Sequence, residues 1–168
     1  DSILDQDYAN TEIIVVDDGS VDNTVEVLSR YGSKLKVVEQ ENHGPSTARN
    51  RALKMAKGRL VTFLDSDDYW LPGFLSKSAA ALAKAPHSVA VSTMTRAIHW
   101  SGHEVIIPSG LERANSVIEL DDFFEFWAVN DHIRTGSVMF DRDVVGKVPL
   151  FRENLRVCED LEYWAYLA

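Results

Sequence analysis

Along the first hundred residues, apolar runs alternate with apolar stripes at helical spacing, and acids or glycines punctuate them. Glu12 to Val16 (EIIVV) is a continuous apolar run of the kind that forms a strand buried on both faces; it stops at Asp17 and Asp18, and Gly19-Ser20 turn the chain. Asp22 or Asn23 can cap a helix reaching about Tyr31, with Val21, Val25 and Leu28 on one stripe and Gly32 as terminator. Leu35 to Glu39 predicts a short strand. After the loop Glu41 to Pro45, Ala48, Ala52, Met55 and Ala56 recur at helical spacing within Ser46 to Lys57, and Gly58 ends that helix. The next strand lies in Arg59 to Trp70 (RLVTFLDSDDYW), where Leu60, Val61, Phe63 and Leu64 give way abruptly to Asp65, Asp67 and Asp68.

A helix from about Phe74 to Ala85, stopped by Pro86, and a strand over Val89 to Thr93 complete the regular part. Beyond it the pattern weakens. Two short apolar pieces about Ser101-Gly102 predict a hairpin over Ile98 to Ile107, Asp121 can cap a helix to about Ala128, Gly136 to Phe140 is a candidate strand, and Glu159 to Ala168 is an amphipathic run. Helix and strand in alternation imply crossover connections, so the predicted class is α/β with a doubly wound, mostly parallel sheet flanked by helices.

Composition narrows the function classes. The chain has 168 residues, enough for one domain with a substantial core, and 45% of them are hydrophobic against 26% charged, as in ordinary globular proteins. A formal net charge of −9 with scattered basic residues argues against binding nucleic acid through its phosphates. No apolar run approaches the roughly 20 residues that span a bilayer. A lone cysteine, Cys158, excludes an internal disulfide and fits a reducing compartment, so the expected location is cytoplasmic, free or peripheral at the inner face of the membrane. Both ends read as cut. Asp1 to Asp7 looks like the last turns of a helix whose start is missing, and the final amphipathic run has no stop signal, so the chain is expected to be a fragment.

Three carboxylates within four residues, Asp65, Asp67 and Asp68, repel one another unless something compensates them. At the carboxyl end of a strand, where open α/β sheets place their ligands, a hard divalent cation with its preference for oxygen is one answer, and a solvated acidic turn capping the next helix is the other. Asp17-Asp18 would deliver a second acidic strand end to the same rim, and Arg49, early on the helix after Gly44-Pro45, would add a cation there or form a surface ion pair. A nucleoside diphosphate with its metal ion meets that demand. His99 and His103 sit in the predicted hairpin, where a four-residue spacing does not align ligands. Phe123, Phe124, Phe126 and Trp127 either pack in a core or line a groove.

Taken in order, EIIVVDDGS with Asp22, ENHGPSTARN (Glu41 to Asn50), Ala56-Lys57-Gly58 and FLDSDDYWLP (Phe63 to Pro72) resemble the successive signatures of family 2 glycosyltransferases, which have the GT-A fold. Arg156 to Asp160 (RVCED), followed by Leu161 and Trp164, resembles the segment bearing that family's catalytic acid. The resemblance implies a single catalytic domain over residues 1–168, its donor-binding part about 1–95 and its acceptor side about 96–168. By that resemblance Asp18 bonds the base of a nucleotide-sugar donor, Asp65 the ribose or the metal, Asp67 a Mg²⁺ or Mn²⁺ ion bridging the diphosphate, and Arg49 lies near the donor. Asp160 is the general base, with Glu159 as its rival, and sugar passes with inversion from a UDP-sugar to a hydroxyl on a saccharide or lipid-linked acceptor.

Two departures temper the implication. The family's opening strand, central in its sheet, and its usual C-terminal continuation do not occur in this sequence, so the isolated fragment is expected to be weakly active or inactive. Two other readings compete: an aspartyl-phosphate phosphotransferase, disfavoured by Asp68-Tyr69 after the second acid, and a non-catalytic nucleotide-sugar or glycan-binding module of the same fold. Donor sugar, acceptor and oligomeric state are not legible.

Overall fold

The computed structural model describes residues 1–98, 101, 104–106, 133–155 and 157–167. Strand β1 (Ile14–Asp18) leads through helix α1 (Thr24–Ser29) and a 3₁₀ turn at Gly32–Lys34 to β2 (Lys36–Gln40), which lies parallel to β1 with Ile14 opposite Lys36 and Asp18 opposite Gln40. Then come α2 (Pro45–Met55), β3 (Leu60–Thr62), α3 (Phe74–Lys84) and β4 (Ala90–Ser92). Strands β5 (Arg96–Ile98) and β6 (Glu104–Ile106) pair as the expected antiparallel hairpin. After a 3₁₀ turn at Thr135–Ser137, β7 (Val138–Asp141) runs into the short α4 (Arg142–Val145), and α5 (Glu159–Leu167) follows.

The α/β class and flanking helices hold, but the mostly parallel sheet does not. Among the described residues only β1 and β2 pair in parallel; β7 inserts antiparallel between β3 and β4, giving a three-stranded sheet in the order β3-β7-β4. The reason is the length of the connection. Strands joined by one helix must return parallel, whereas β7 arrives some fifty residues after β4 and is under no such constraint, and local patterning carries no information about where it pairs. Among the described residues, the β1-β2 pair and the three-stranded sheet form separate ladders. A second departure is at the start, where residues 1–7 form turns with Asp5 N–H bonded to Asp1 O and Gln6 N–H to Ile3 O, too few bonds to repay helix nucleation.

All four residues of β7 are buried, and their alternation decides what covers each face of the sheet. Val138 and Phe140 point into a cluster with Leu53 of α2, Val61, Phe63, Phe151 and the α5 residues Tyr163, Trp164 and Leu167. Met139 points the other way, into Trp70, Phe74, Leu75 and Leu82 around α3. Phe140 is fully enclosed, so its truncation to Ala would cost about 3 to 5 kcal/mol. The predicted helix at 121–128, its aromatic cluster, and His99 and His103 lie outside the described residues.

Candidate functional site

Both acids at the end of β1 are wrapped by the chain. Asp17, largely buried, accepts from the Ser20 hydroxyl and, at 3.4 Å, from the Ser20 N–H, closing the turn through Gly19. Gly19 takes φ +80°, and a Cβ there would lie 2.9 Å from the Asn42 backbone nitrogen, so only glycine lets the two loops approach this closely. Asp18 Oδ1 accepts from Gln40 Nε2 at 2.7 Å and from His43 N–H at 2.9 Å, while Oδ2 accepts from Gly44 N–H at 2.8 Å. Gly44 caps α2 without a side chain, and Pro45 at the first helical position has no N–H, so Asp18 supplies from β1 the negative charge that the helix start favours. Burial pushes the Asp18 carboxyl up, and the bonds from His43, Gln40 and Gly44 outweigh it, holding it below the usual carboxylate range.

One turn into α2, Arg49 is the junction of the site. Its side chain is only 12% exposed; Nη2 reaches Asp65 Oδ1 at 2.8 Å and Nη1 reaches Glu159 Oε1 at 3.0 Å. The guanidinium also stands 5.5 Å from the Phe151 ring centre. Burial disfavours its charge, yet Asp65 and Glu159 more than compensate and raise its pKa. The fork expected to face a donor is thus occupied by two carboxylates, one following β3 and one opening α5.

After β3 the acidic loop turns sharply, with Asp68 N–H bonded to Asp65 O at 3.1 Å. Trp70, buried and stacked on Phe74 at 4.6 Å, donates its Nε1–H to Gly136 O at 2.7 Å and so fastens this loop to the Thr135–Ser137 turn. Partial burial and the charges of Asp67 and Asp65 push the Asp68 carboxyl up. Asp67 itself is exposed.

Next to Gly136, the buried Thr135 donates its hydroxyl to Asp160 Oδ2 at 3.3 Å, and Asp160 Oδ1 accepts from Leu161 N–H at 2.9 Å. Asp160 and Glu159 occupy the first turn of α5, behind Cys158, whose φ of +60° is a left-handed conformation rare for a residue with a Cβ. Asp160 lines a shallow hollow with Ile133, Arg134, Cys158 and Leu161. The acidic loop, the Thr135–Ser137 turn, Arg49 and the start of α5 therefore share one rim, and Asp18 stands at the α2 end of it.

The donor chemistry of this rim suits a hard cation, because Asp65, Asp67 and Asp68 gather carboxylate oxygens within one turn of chain. Among the described residues no three His, Cys, Asp or Glu side chains converge into a complete cage. Several residues that matter here had no assigned role in the sequence reading. Gln40, Thr135, Asn50 and Glu153 act through side-chain bonds to distant segments, and only Asn50, inside the ENHGPSTARN motif, carried a local signal.

Residues 1–144 match the family described as glycosyl transferase family 2. The chain belongs to that family. It is 32% identical over 175 residues to TuaG of Bacillus subtilis (strain 168), a glycosyltransferase named for teichuronic acid biosynthesis, in a match covering 99% of this chain and 64% of TuaG. It is 45% identical over 73 residues to WfaP of Escherichia coli, a UDP-Glc:alpha-D-GlcNAc-diphosphoundecaprenol beta-1,3-glucosyltransferase, across 42% of this chain and 29% of that protein. Among solved structures, Staphylococcus aureus TarS 1-349 in complex with UDP superposes with a TM-score of 0.68 at 27% identity, covering 96% of this chain and 47% of that one. The chain therefore spans 64% or less of these relatives' own lengths. The structural likeness supports the GT-A reading of the fold, and the family membership agrees with the resemblance carried by the four ordered motifs. Among the described residues no helix is long and apolar enough to cross a membrane.

Proposed function

We propose that this chain is the donor-binding and base-bearing part of an inverting glycosyltransferase that moves a sugar from a UDP-sugar to a hydroxyl acceptor in polysaccharide or glycoconjugate assembly. The observation that carries this reading is the Arg49 bridge, which seats Asp65 of the acidic loop and Glu159, neighbour of Asp160, on one guanidinium. Support for UDP comes from the name of WfaP and from the nucleotide bound to TarS.

In this reading Asp18 receives the nucleoside and Asp65 the ribose. Asp67, with Asp65, would hold Mg²⁺ or Mn²⁺, which would supply positive charge to offset that developing on the leaving diphosphate. Asp160 takes the proton from the acceptor hydroxyl as that oxygen forms its bond to the anomeric carbon, and the bond to the diphosphate breaks on the opposite face, inverting the configuration. Thr135 keeps one carboxylate oxygen of Asp160 oriented by a hydroxyl bond that leaves lone pairs free for the acceptor. Asp18 already accepts three bonds within the protein, so its remaining lone pair is the one offered to the base.

The deciding experiment is Asp160→Asn in the whole protein. Loss of turnover by about 10² to 10⁴ with UDP affinity retained is expected of a general base. A variant that turns over normally would remove Asp160 from the chemistry, and a parent protein that binds UDP without transferring sugar would favour the binding-module reading.

A further inference from the structure

Asn50 adjoins Arg49 on α2 and is only 1% exposed, yet nothing in the chemistry above uses it. Both its N–H donors and its amide oxygen bond to one distant segment. Its Nδ2 donates to Phe151 O at 2.8 Å and to Glu153 Oε1 at 2.9 Å, and its Oδ1 accepts from Phe151 N–H at 2.7 Å. A side-chain amide that closes both backbone bonds of one residue fixes that residue as firmly as a strand partner would.

What Phe151 does next gives the clamp its meaning. Its ring stacks on Tyr163 with centres 3.8 Å apart and planes 5° from parallel, and meets Trp164 and Phe63 edge-on at 6.5 Å and 5.3 Å. Tyr163 is three residues beyond Asp160 in α5, on the same face one turn on. Arg49, whose guanidinium stands 5.5 Å from the centre of the same ring, reaches Glu159, immediately before Asp160. Two consecutive residues of α2 thus grip α5 on either side of Asp160, Arg49 by charge and Asn50 through Phe151.

We propose that Asn50 is a positioning residue for Asp160: it sets the seat of α5, and so the distance between the base and the donor rim, without touching substrate. This rests on the reading of Asp160 as the base. A displacement on the order of 1 Å at a reacting group costs about a hundredfold in rate, so a clamp that sets the seat of α5 is enough to govern turnover.

The test uses Asn50→Asp, Glu153→Ala and the pair Asn50→Asp with Glu153→Gln in the whole protein, read by kcat, UDP affinity from calorimetry, and thermal midpoint. Asn50→Asp keeps the acceptor for Phe151 N–H but sets a carboxylate against Glu153 and the Phe151 carbonyl. On folded protein its kcat is expected to fall about a hundredfold with UDP affinity unchanged. Adding Glu153→Gln, which restores a donor facing the new carboxylate, should recover part of the loss. A kcat that falls only with the folded fraction, or together with UDP affinity, overturns the proposal. Should Asn50→Asp not fold, Glu153→Ala decides: this exposed position should lower kcat several-fold at unchanged midpoint, and an unchanged kcat sinks the idea. Failure of the base reading is separable, because it shows as Asp160→Asn retaining turnover.

Discussion

Two arginines tie together parts of the chain far apart in sequence, and they do so in opposite surroundings. On the rim, Arg49 is largely buried between Asp65 and Glu159. At the far end of the three-stranded sheet, Arg59 is 63% exposed and grips Asp141 through Nε and Nη2, with Asp143 3.4 Å away. The far pair has the better fork geometry. It has water around its cation although Asp141 itself is buried, and Asp141 keeps a further bond from Asp143 N–H, whereas Arg49 is itself enclosed and compensates two acids at once. Good geometry identifies a contact; burial decides what its loss costs.

The sharpest way to break this comparison is at the proposed base, where Asp160→Asn should remove turnover while leaving both arginine junctions intact. Next, Arg49→Met should destabilise by about 2 to 3 kcal/mol in urea titration, since it strands Asp65 and Glu159 together, reduced from the fully buried case because Asp65 is partly exposed. Arg59→Met, measured alongside, should move the midpoint less, because its exposed guanidinium leaves only one buried acid, which keeps the Asp143 N–H; equal shifts would refute the argument that burial of the cation decides the cost.

Asp18→Asn probes the same rim at the other end of α2. An amide can accept only at its oxygen, so one backbone N–H at the helix start loses its partner, at an expected cost of about 1 to 2 kcal/mol, together with weaker UDP binding.

Acidity sharpens the comparison. Hydrogen bonding to Arg59 holds the Asp141 carboxyl below the usual range, and hydrogen bonds hold Asp18 there against its burial. Carboxyls lowered in the folded state stabilise it above their ordinary values near pH 4, and that contribution is lost as pH falls through the lowered values. Asp68 runs the other way. Its raised carboxyl binds a proton more tightly in the folded state, so stability is lost as pH rises through that value. In metal-free protein Asp68→Asn should therefore raise the unfolding midpoint at pH 7 and do nothing at pH 3, while Asp141→Asn should lower it at pH 7. The smallest effect expected is at Cys158, where glycine relieves the left-handed backbone: Cys158→Gly should add about 1 kcal/mol of stability in the same titration.

How far the pattern of residues could be read depends on the range of the forces involved. β1, β2, α2, β3, α3 and β4 were legible within a few residues because each is specified by its own periodicity and its own caps, and the β5-β6 hairpin by the turn at Ser101. The acids were legible as chemistry, since crowded carboxylates at strand ends demand an explanation wherever they fall. Asp18 was legible as an important acid, but the three donors around it, brought from β2 and the α2 loop, were not.

By itself, then, the order of residues determined the α/β class, the helices that flank the sheet and the set of acids from which any site must be built, because apolar periodicity and local charge act over a few residues. The tertiary structure alone decided that β7 runs antiparallel between β3 and β4, that Arg49 is spent on Asp65 and Glu159, and that Asn50 holds Phe151 beneath α5. Those outcomes join residues as much as 110 positions apart, and only the packing of the whole chain selects among the partners that one arginine or one amide could have taken.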